Sequence, residues 1–406
     1  MTVDTPARPD IAERRARAAV GALFFTNGAL FANLVPRFPE IKADLGLTNA
    51  TYGLTVAAFP AGAIAAGLAA AVLVRRFGSA RVAVASTVLT AVCVFAAASA
   101  PALALLIPLL FVGGAMDSIT DVAQNAHGLR VQRRYGRSII NSFHAVWSIG
   151  AVVGGSMAAG AIALGLSRPV HLAVTGALFS AVAVVALRYC LPGLDGEADD
   201  DGPSVRGVAP AVAVSRVRTG LVLAALVLIA VAGALVEDAG STWAAVYAAG
   251  ALGAPAALAA AGYVALVGAQ FVGRMLGDRL VDRFGQRAVA RAGGLLVAVG
   301  MGLALAFPTV PGTIAGFAAA GFGVATLVPA AMHEADELPG LRAGTGLTVV
   351  SWLMRLGFLL SPPVVGLVAD ASSLRAGLLV VPVAGAIVIL AAGVLQGRRV
   401  PRAVRT

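Results

Sequence analysis

Two carboxylates and an amide recur at a helical interval in an otherwise apolar stretch of the sequence. Asp117 and Asp121 are four residues apart, and Asn125 follows after another four. This interval places all three side chains on one face of a helix. A carboxylate in a low-dielectric cavity favours its protonated form, so it can take up and release a proton near neutral pH. The three residues are therefore candidates for proton transfer and solute binding. A structural ion pair is the alternative for Asp121, and a polar position near a cavity mouth is the alternative for Asp117.

Further candidates for contact with a solute are spread over several apolar stretches: Asn27, Asn33, Asn141, His144, Trp147, Glu237 and Arg355. His144 could relay protons and Trp147 could stack on a sugar ring, with a packing role as the alternative for both. Glu237 could line an entrance or lie at a solvated helix end. Arg355 is a lone cation in an apolar segment. It needs either an anionic substrate or a carboxylate partner, such as Asp121 or Glu237.

The composition indicates what surrounds these residues. Of 406 residues, 59% are hydrophobic and 12% are charged, and the mean hydropathy is +0.89. A soluble chain carries about twice that charged fraction. The abundance of glycine and alanine suits close helix packing in lipid. The two cysteines, Cys93 and Cys190, lie in or beside apolar stretches and indicate no disulfide framework.

Apolar segments of sufficient length recur along the whole chain. A helix needs about 20 apolar residues to cross the hydrocarbon core. This length predicts an all-α integral membrane fold with about twelve spans: 18–37, 50–74, 79–99, 102–129, 138–165, 169–190, 218–240, 256–281, 288–307, 311–333, 344–369 and 375–396.

The basic residues predict the orientation of these spans. With the N-terminus inside, nearly all of the 30 basic residues fall on inner segments. The exceptions are Arg37, Lys42, Arg168 and Arg375 on outer segments, and Arg355 within a span. This distribution predicts that both termini are cytoplasmic, in the inner membrane of a bacterium. It also accounts for the net charge of +10 without a nucleic-acid partner, and the Arg-rich N-terminus reads as a retained tail.

A constant offset relates the two halves of the chain. Arg76-Phe77-Gly78 corresponds to Arg283-Phe284-Gly285, 207 residues further on. The same offset pairs Leu45-Gly46 with Leu252-Gly253, Arg168 with Arg375, and Ile149-Gly150 with Leu356-Gly357. Such parallel repeats are typical of transporters whose substrate site lies at the midplane. Self-similarity of Ala/Gly-rich helices is the alternative.

The repeat and the polar segments together predict the domain organisation. We expect two six-helix bundles related by pseudo-twofold symmetry. The predicted parts are a cytoplasmic tail (1–17), an N-terminal bundle (18–191), a cytoplasmic central loop (192–217), a C-terminal bundle (218–396) and a second cytoplasmic tail (397–406).

The basic loops carry a resemblance to a known family. The segment 278–287, DRLVDRFGQR, resembles the inner-loop signature of the major facilitator superfamily, and the segment 74–81 resembles a degraded first copy. Two departures stand out, because Arg75 replaces the usual Asp and Asp278 replaces the usual Gly. The resemblance implies a gating role, in which Asp and Arg pair with a neighbouring helix in one access state. The residues to which the resemblance assigns this gating role are Asp278, Asp282, Arg283 and Gly285, and in the first copy Arg76 and Gly78.

Two further segments resemble one branch of this superfamily. Asp121 to Asn125 looks like the acidic-x-x-x-Asn element of fucose-permease-like sugar/proton symporters. The segment 141–150, NSFHAVWSIG, resembles the Phe-His-x-x-Trp/Phe-Ser-x-Gly stretch of that group. The resemblance implies that Asp121 couples proton movement and that Asn125 binds the solute or holds the carboxylate. Arg355 is not part of that pattern.

The resulting expectation is a secondary transporter that moves a sugar or related polar metabolite by symport with protons, rocking two bundles around a central site. Proton-driven efflux of drug-like compounds or metabolites is the alternative, although the Gly-Pro-x-x-Gly-Gly turn typical of such antiporters lacks its proline here. A membrane-embedded enzyme or a sensor is a third possibility. The histidines are scattered and no phosphate-binding loop occurs, so we expect no metal, cofactor or ATP hydrolysis. Monomeric function is implied by the resemblance.

Overall fold

A computed structural model describes residues 10–135, 139–194, 216–341 and 344–396. Over these ranges the chain is almost entirely helical, which confirms the predicted all-α class. In the first half the helices are α1 (Ile11–Leu34), a 3-10 turn (Val35–Arg37), α2 (Phe38–Asp44), α3 (Asn49–Val56), α4 (Ala58–Phe77), α5 (Ser79–Ala98), α6 (Leu103–Tyr135), α7 (Ile140–Ala163) and α8 (Arg168–Leu187). In the second half they are α9 (Arg216–Gly250), α10 (Ala256–Ala259), α11 (Ala261–Phe284), α12 (Gln286–Ala306), α13 (Val310–Val324), α14 (Leu327–Asp336), α15 (Thr345–Leu353), α16 (Arg355–Ala371), α17 (Leu374–Gly377), α18 (Val380–Ala391) and a 3-10 turn (Ala392–Val394).

Twelve helical stretches within the described ranges are long and apolar enough to cross a membrane, which confirms the predicted number of spans. Their ends differ most from the prediction at the first and seventh. Residues 11–17, which we assigned to the tail, belong to α1. The seventh predicted span ended at residue 240, whereas α9 continues to Gly250. Glu237 therefore lies well inside α9, so the solvated helix end was the wrong alternative, and its place at an entrance stays a prediction. The helix continues because the residues that follow pack into the protein, including the fully buried Trp243.

Corresponding glycines in the two halves adopt the same unusual backbone conformation. Gly78 between α4 and α5 has φ 84°, and Gly285 between α11 and α12 has φ 83°. The loop glycines Gly46 and Gly253 have φ 60° and 64°. A positive φ is unfavourable for residues with a Cβ, so glycine permits these tight turns. The two halves thus use the same turn geometry at the predicted offset.

Two arginines at the same offset also make equivalent contacts. The Arg168 guanidinium donates to the carbonyl of Ala98, the last residue of α5, at 2.6 Å. The Arg375 guanidinium donates to the carbonyl of Ala306, the last residue of α12, at 3.1 Å. A cation at a helix C-terminus binds carbonyls that have no partner within the helix. These equivalent contacts support the duplication of one structural unit in the two halves of the chain.

The described residues form two compact units. The first contains 10–45 and 58–194, and the second contains 46–57 and 216–396. In the first, Phe24 of α1 stacks on Phe143 of α7, with ring centroids 5.4 Å apart. In the second, Trp243 and Phe317 are fully buried. The bundle boundaries at 18–191 and 218–396 stay a prediction, and most of the predicted central loop and the tail 397–406 lie outside the described residues.

The short helix α3 belongs to the second unit and is held there by three contacts. The Asp370 carboxylate accepts hydrogen bonds from the backbone N–H groups of Asn49 and Ala50, at 2.9 and 2.8 Å. The Tyr52 hydroxyl donates to the carbonyl of Thr242 at 2.8 Å. The Tyr52 ring also meets Trp243 edge-on, with centroids 4.9 Å apart. Asp370 therefore caps the N-terminus of α3 from another helix.

We expect Asp370→Asn to lower the midpoint of thermal unfolding of the detergent-purified protein, because an amide replaces a charge-assisted cap with a weaker acceptor. Asp336→Asn is the matched control, since Asp336 is an exposed residue at the C-terminal end of α14. Equal midpoints for both variants and the wild type would show that the cap contributes nothing.

Candidate functional site

One amide side chain lies at the centre of the polar contacts in the first unit. The Asn27 side chain on α1 donates from Nδ2 to Asp117 Oδ1 on α6 at 2.7 Å. Its Oδ1 accepts from Trp147 Nε1 on α7 at 2.9 Å. Because an indole nitrogen can only donate, Trp147 requires the oxygen of Asn27 and so turns the amide nitrogen toward Asp117. Asn27 is 6% exposed, so this bridge is largely shielded from solvent.

The second carboxylate is joined to the first through Gln124 of α6. Gln124 Nε2 lies 3.3 Å from Asn27 Oδ1 and 3.4 Å from Asp121 Oδ1. Asn125 Nδ2 donates to Asp121 Oδ1 at 3.0 Å. We call the set Asn27, Asp117, Asp121, Gln124, Asn125 and Trp147 the polar network. It brings together five of the predicted site residues and one, Gln124, that we did not predict.

A glycine allows α1 and α7 to approach closely enough for this contact. A Cβ at Gly28 would collide with the carbonyl oxygen of Trp147. Small residues at helix interfaces permit such close approach in membrane proteins. The neighbouring Asn27 side chain can therefore reach the Trp147 indole. Helix α6 contributes its own members at intervals of three and four residues, which lie on one face.

The polar network extends from the interior of the unit to an accessible edge. Gln124 is fully buried, and its Oε1 has no hydrogen-bond partner among the described residues. Asp117 is half-buried, whereas Asp121 is exposed. The arrangement therefore connects an accessible carboxylate to a more deeply placed one through two amides. The Gln124 amide can exchange its donor and acceptor to follow a change of charge, whereas Trp147 holds the Asn27 amide in one orientation.

Two predicted solute-contact residues of the first unit, Asn33 and His144, lie apart from the polar network. Asn33 donates to the Ala29 carbonyl at 2.8 Å and contacts His171 at 2.9 Å, in a separate buried cluster. His144 is exposed and meets the ring of Phe24 edge-on. The side chain of Asn141 lies outside the described part of the chain.

A second group of polar side chains occupies α9 and α11 of the second unit. Glu237 Oε2 accepts from Gln270 Nε2 at 2.6 Å and lies 3.7 Å from Arg274 Nη2. We did not predict Gln270 and Arg274 as site residues. The sequence feature that could have identified them is the four-residue spacing of two polar side chains in an apolar span. Glu237 therefore pairs with Arg274 and not with Arg355. Arg355 makes no ion pair with any described residue, and it begins α16.

The two basic loops also share a contact. The Arg76 guanidinium lies over the Phe77 ring, and the Arg283 guanidinium lies over the Phe284 ring, both 5.3 Å from the centroid. Asp278 and Asp282 are exposed, and neither makes a hydrogen bond or ion pair within the described ranges. A gating role for these loops stays a prediction.

Sequence comparison places this architecture in a family. The family profile described as Major Facilitator Superfamily matches residues 20–279 and 265–406. The chain belongs to the major facilitator superfamily. It is thus a membrane transporter that carries out secondary transport of a solute, and not an enzyme.

Curated relatives match this chain over most of their length. The chain is 31% identical over 380 residues to the uncharacterized transporter y4wD of Sinorhizobium fredii, covering 93% of this chain and 97% of that protein. It is 29% identical over 377 residues to the membrane protein MosC of Rhizobium meliloti, covering 92% of this chain and 88% of MosC.

Solved superfamily structures share the fold. The nucleoside transporter NupG matches with a TM-score of 0.71 and 11% identity, covering 93% of this chain and 97% of NupG. A D-xylose-proton symporter matches with a TM-score of 0.70 and 17% identity, covering 94% and 96% of the two chains. At these identities the likeness establishes the major facilitator fold alone.

We expect Asn27→Leu to lower the free energy of unfolding by about 1–3 kcal/mol, because it leaves Trp147 Nε1 without its acceptor and Asp117 without its donor. Unfolding in mixed micelles of SDS and mild detergent would measure the change. Ser156→Ala is the control, since the exposed Ser156 hydroxyl bonds only to its own helix. A loss no larger than that of the control would contradict the bridging role of Asn27.

Proposed function

We propose that the chain couples transport of a small polar solute to protons, and that the polar network is the proton-carrying site. The observation that carries this proposal is the linkage of Asp117 and Asp121 through Asn27 and Gln124 inside candidate membrane spans. Ionisable groups in spans are costly and mark proton or substrate pathways.

The linkage gives a physical reason for proton coupling. Two carboxylates in one weakly screened network repel each other when both are ionised, so they favour sharing a proton. Release of that proton restores the second negative charge and changes the preferred orientation of the Gln124 amide, since Trp147 holds Asn27 in one orientation. A change of charge that one access state tolerates better than another biases the equilibrium between them.

The solute that we propose is a sugar or a related polar metabolite, carried inward with protons. Support comes from the resemblance of 121–125 and 141–150 to sugar/proton symporters, and from fold neighbours named for nucleoside and D-xylose transport. Asn125 and Trp147 supply an amide and an indole for a hydroxylated ring.

The setting that we propose is the cytoplasmic membrane of a bacterium, with both termini inside and the protein acting as a monomer. The distribution of basic residues supports this orientation. It would place the loop 278–287 on the cytoplasmic side, where Asp282 and Arg283 could form the gating contacts that the family signature implies.

The proposal is tested by reconstituting the purified protein into liposomes that contain a pH-sensitive dye. Neutral sugars, sugar acids and cationic drugs are added outside in turn, with and without a proton gradient. Proton entry together with a sugar or sugar acid supports symport. Proton movement only in the opposite direction to a cationic compound would establish efflux instead. Accumulation that follows a sodium gradient alone would contradict proton coupling.

We expect Asp121→Asn to reduce proton-coupled uptake about tenfold or more, since the amide mimics a permanently protonated acid and cannot release the proton. Exchange of labelled for unlabelled solute, which needs no net proton movement, should continue. Asp336→Asn serves as the control for loss of one acidic side chain. Full proton-coupled uptake by Asp121→Asn would remove this residue from the coupling mechanism.

A further inference from the structure

Arg355 lies near the middle of a membrane span. It is the first residue of α16, within the candidate span Thr345–Ala371. A Cβ at Gly357 would collide with the carbonyl oxygen of Val231, so this turn of α16 packs tightly on α9. Val231 is close to the midpoint of α9, which runs from residue 216 to 250. The Arg355 backbone therefore lies level with the middle of α9, at the junction of α15 and α16 within one span.

The side chain of Arg355 belongs to a different helix face from the one that packs on α9. The packed face carries Val350, Gly357 and Ser361, all buried. Met354, between α15 and α16, keeps helical angles of φ −59° and ψ −26°, so the periodicity continues through the junction. Arg355 is about half a turn away from Gly357 on this periodicity. It is half-buried, not enclosed.

On the side toward α15, the face that carries Arg355 is polar and aromatic. Trp352 precedes Arg355 by three residues and Thr348 precedes it by seven, and both are exposed. Trp352 is 59% exposed. A separate exposed face of α16 carries Leu360 and Leu367, seven residues apart, as expected for contact with lipid. A cation at mid-span is costly against lipid, so the face of Arg355 and Trp352 is expected to border a water-filled cavity.

The protein supplies no counter-charge to Arg355 within the ranges that the structure describes. Of the two neighbouring carboxylates on α9, Glu237 is held by Gln270 and Arg274, and Asp238 makes no ion pair with a described residue. Intramembrane arginines normally pair with a carboxylate or with backbone carbonyls. An arginine that is kept at mid-depth without such a partner has its charge available for a ligand.

We propose that the transported solute carries an anionic oxygen group, a carboxylate or a phosphate, which binds Arg355, and that its carbon skeleton packs against Trp352. This inference rests on the proposed transport of a small polar metabolite and names its class. The guanidinium presents paired N–H donors that match two oxygens of a carboxylate or phosphate. The indole offers a flat apolar surface to a sugar-like ring.

The test measures binding of small-molecule probes to the full-length protein in detergent by isothermal titration calorimetry. The probes share one ring: D-glucuronate, glucose 6-phosphate, neutral D-glucose and cationic glucosamine. We expect the wild type to bind one of the two anions about tenfold or more tightly than glucose, a difference of about 1.4 kcal/mol. The comparison of glucuronate with glucose 6-phosphate decides between carboxylate and phosphate.

Substitutions assign the binding to the proposed residues. Arg355→Gln should lower the affinity for the preferred anion about tenfold or more. The affinity of Arg355→Lys should lie between those of Arg355→Gln and the wild type, since lysine keeps the charge without the paired donors. Trp352→Phe should lower the affinity for all four probes by a smaller factor. Arg291→Gln, which removes an exposed arginine from α12, should leave affinity unchanged. Thermal unfolding of each variant verifies that it is folded.

The proposal is overturned if glucose or glucosamine binds as tightly as the anions, if neither anion binds, or if Arg355→Gln binds the anion as the wild type does. Its failure is distinguishable from that of proton coupling. Anion binding through Arg355 with no proton movement in liposomes would retain this inference and reject the coupling, whereas proton-coupled uptake of neutral sugars alone would do the reverse.

Discussion

Inside the hydrocarbon of a bilayer there is no water to complete a hydrogen bond, so a polar side chain in a span must find its partner within the protein or in a wet cavity. In the first unit this requirement is met by Asn27. Its amide accepts from the Trp147 indole and donates to the Asp117 carboxylate, and it thereby joins α1, α6 and α7. Gly28, the next residue, permits the close approach on which the bridge depends.

The same requirement is met differently in the second unit. Glu237 is satisfied by Gln270 and Arg274 on the neighbouring helix. Arg355 is left with no ion pair among the described residues, although it lies at mid-span on a face with Trp352. One unit thus carries linked carboxylates with hydrogen-bond donors, and the other carries a cation that no residue of the described ranges neutralises. These are complementary chemistries for a proton and for an anionic group, and each is established by contacts within its own unit.

Much of the fold follows from features that a single sequence contains. The spans could be predicted because a bilayer fixes the length of an apolar helix. The repeat could be predicted because glycines and arginines recur at one offset in the sequence. Helix ends were less predictable. The continuation of α9 to Gly250 depends on tertiary packing of Trp243 and its neighbours, which no local pattern encodes. The placement of α3 with the second unit depends on Asp370, more than 300 residues away in the chain.

The candidate site was predictable in part for a similar reason. The spacing of Asp117, Asp121 and Asn125 is visible within one helix. The contacts of Asn27 with α6 and α7 are long-range, and Gln124 was missed because an amide between two predicted residues carries no signal until its partners are known. Asn33, by contrast, is also an asparagine on α1, but it hydrogen-bonds to His171 in a separate cluster. The reason is that Asn33 lies nearly two turns further along the helix than Asn27.

The central claim is that Asp117 and Asp121 share a transferable proton, and infrared difference spectroscopy of the carboxyl groups tests it most directly. The purified protein would be titrated through neutral pH, and the carbonyl stretch of protonated carboxyl groups would be followed in the wild type, Asp117→Asn and Asp121→Asn. The account predicts that either substitution removes or shifts the titrating band, because the proton belongs to the pair. A band that titrates unchanged in both variants would contradict it, and would place the exchangeable proton on another residue.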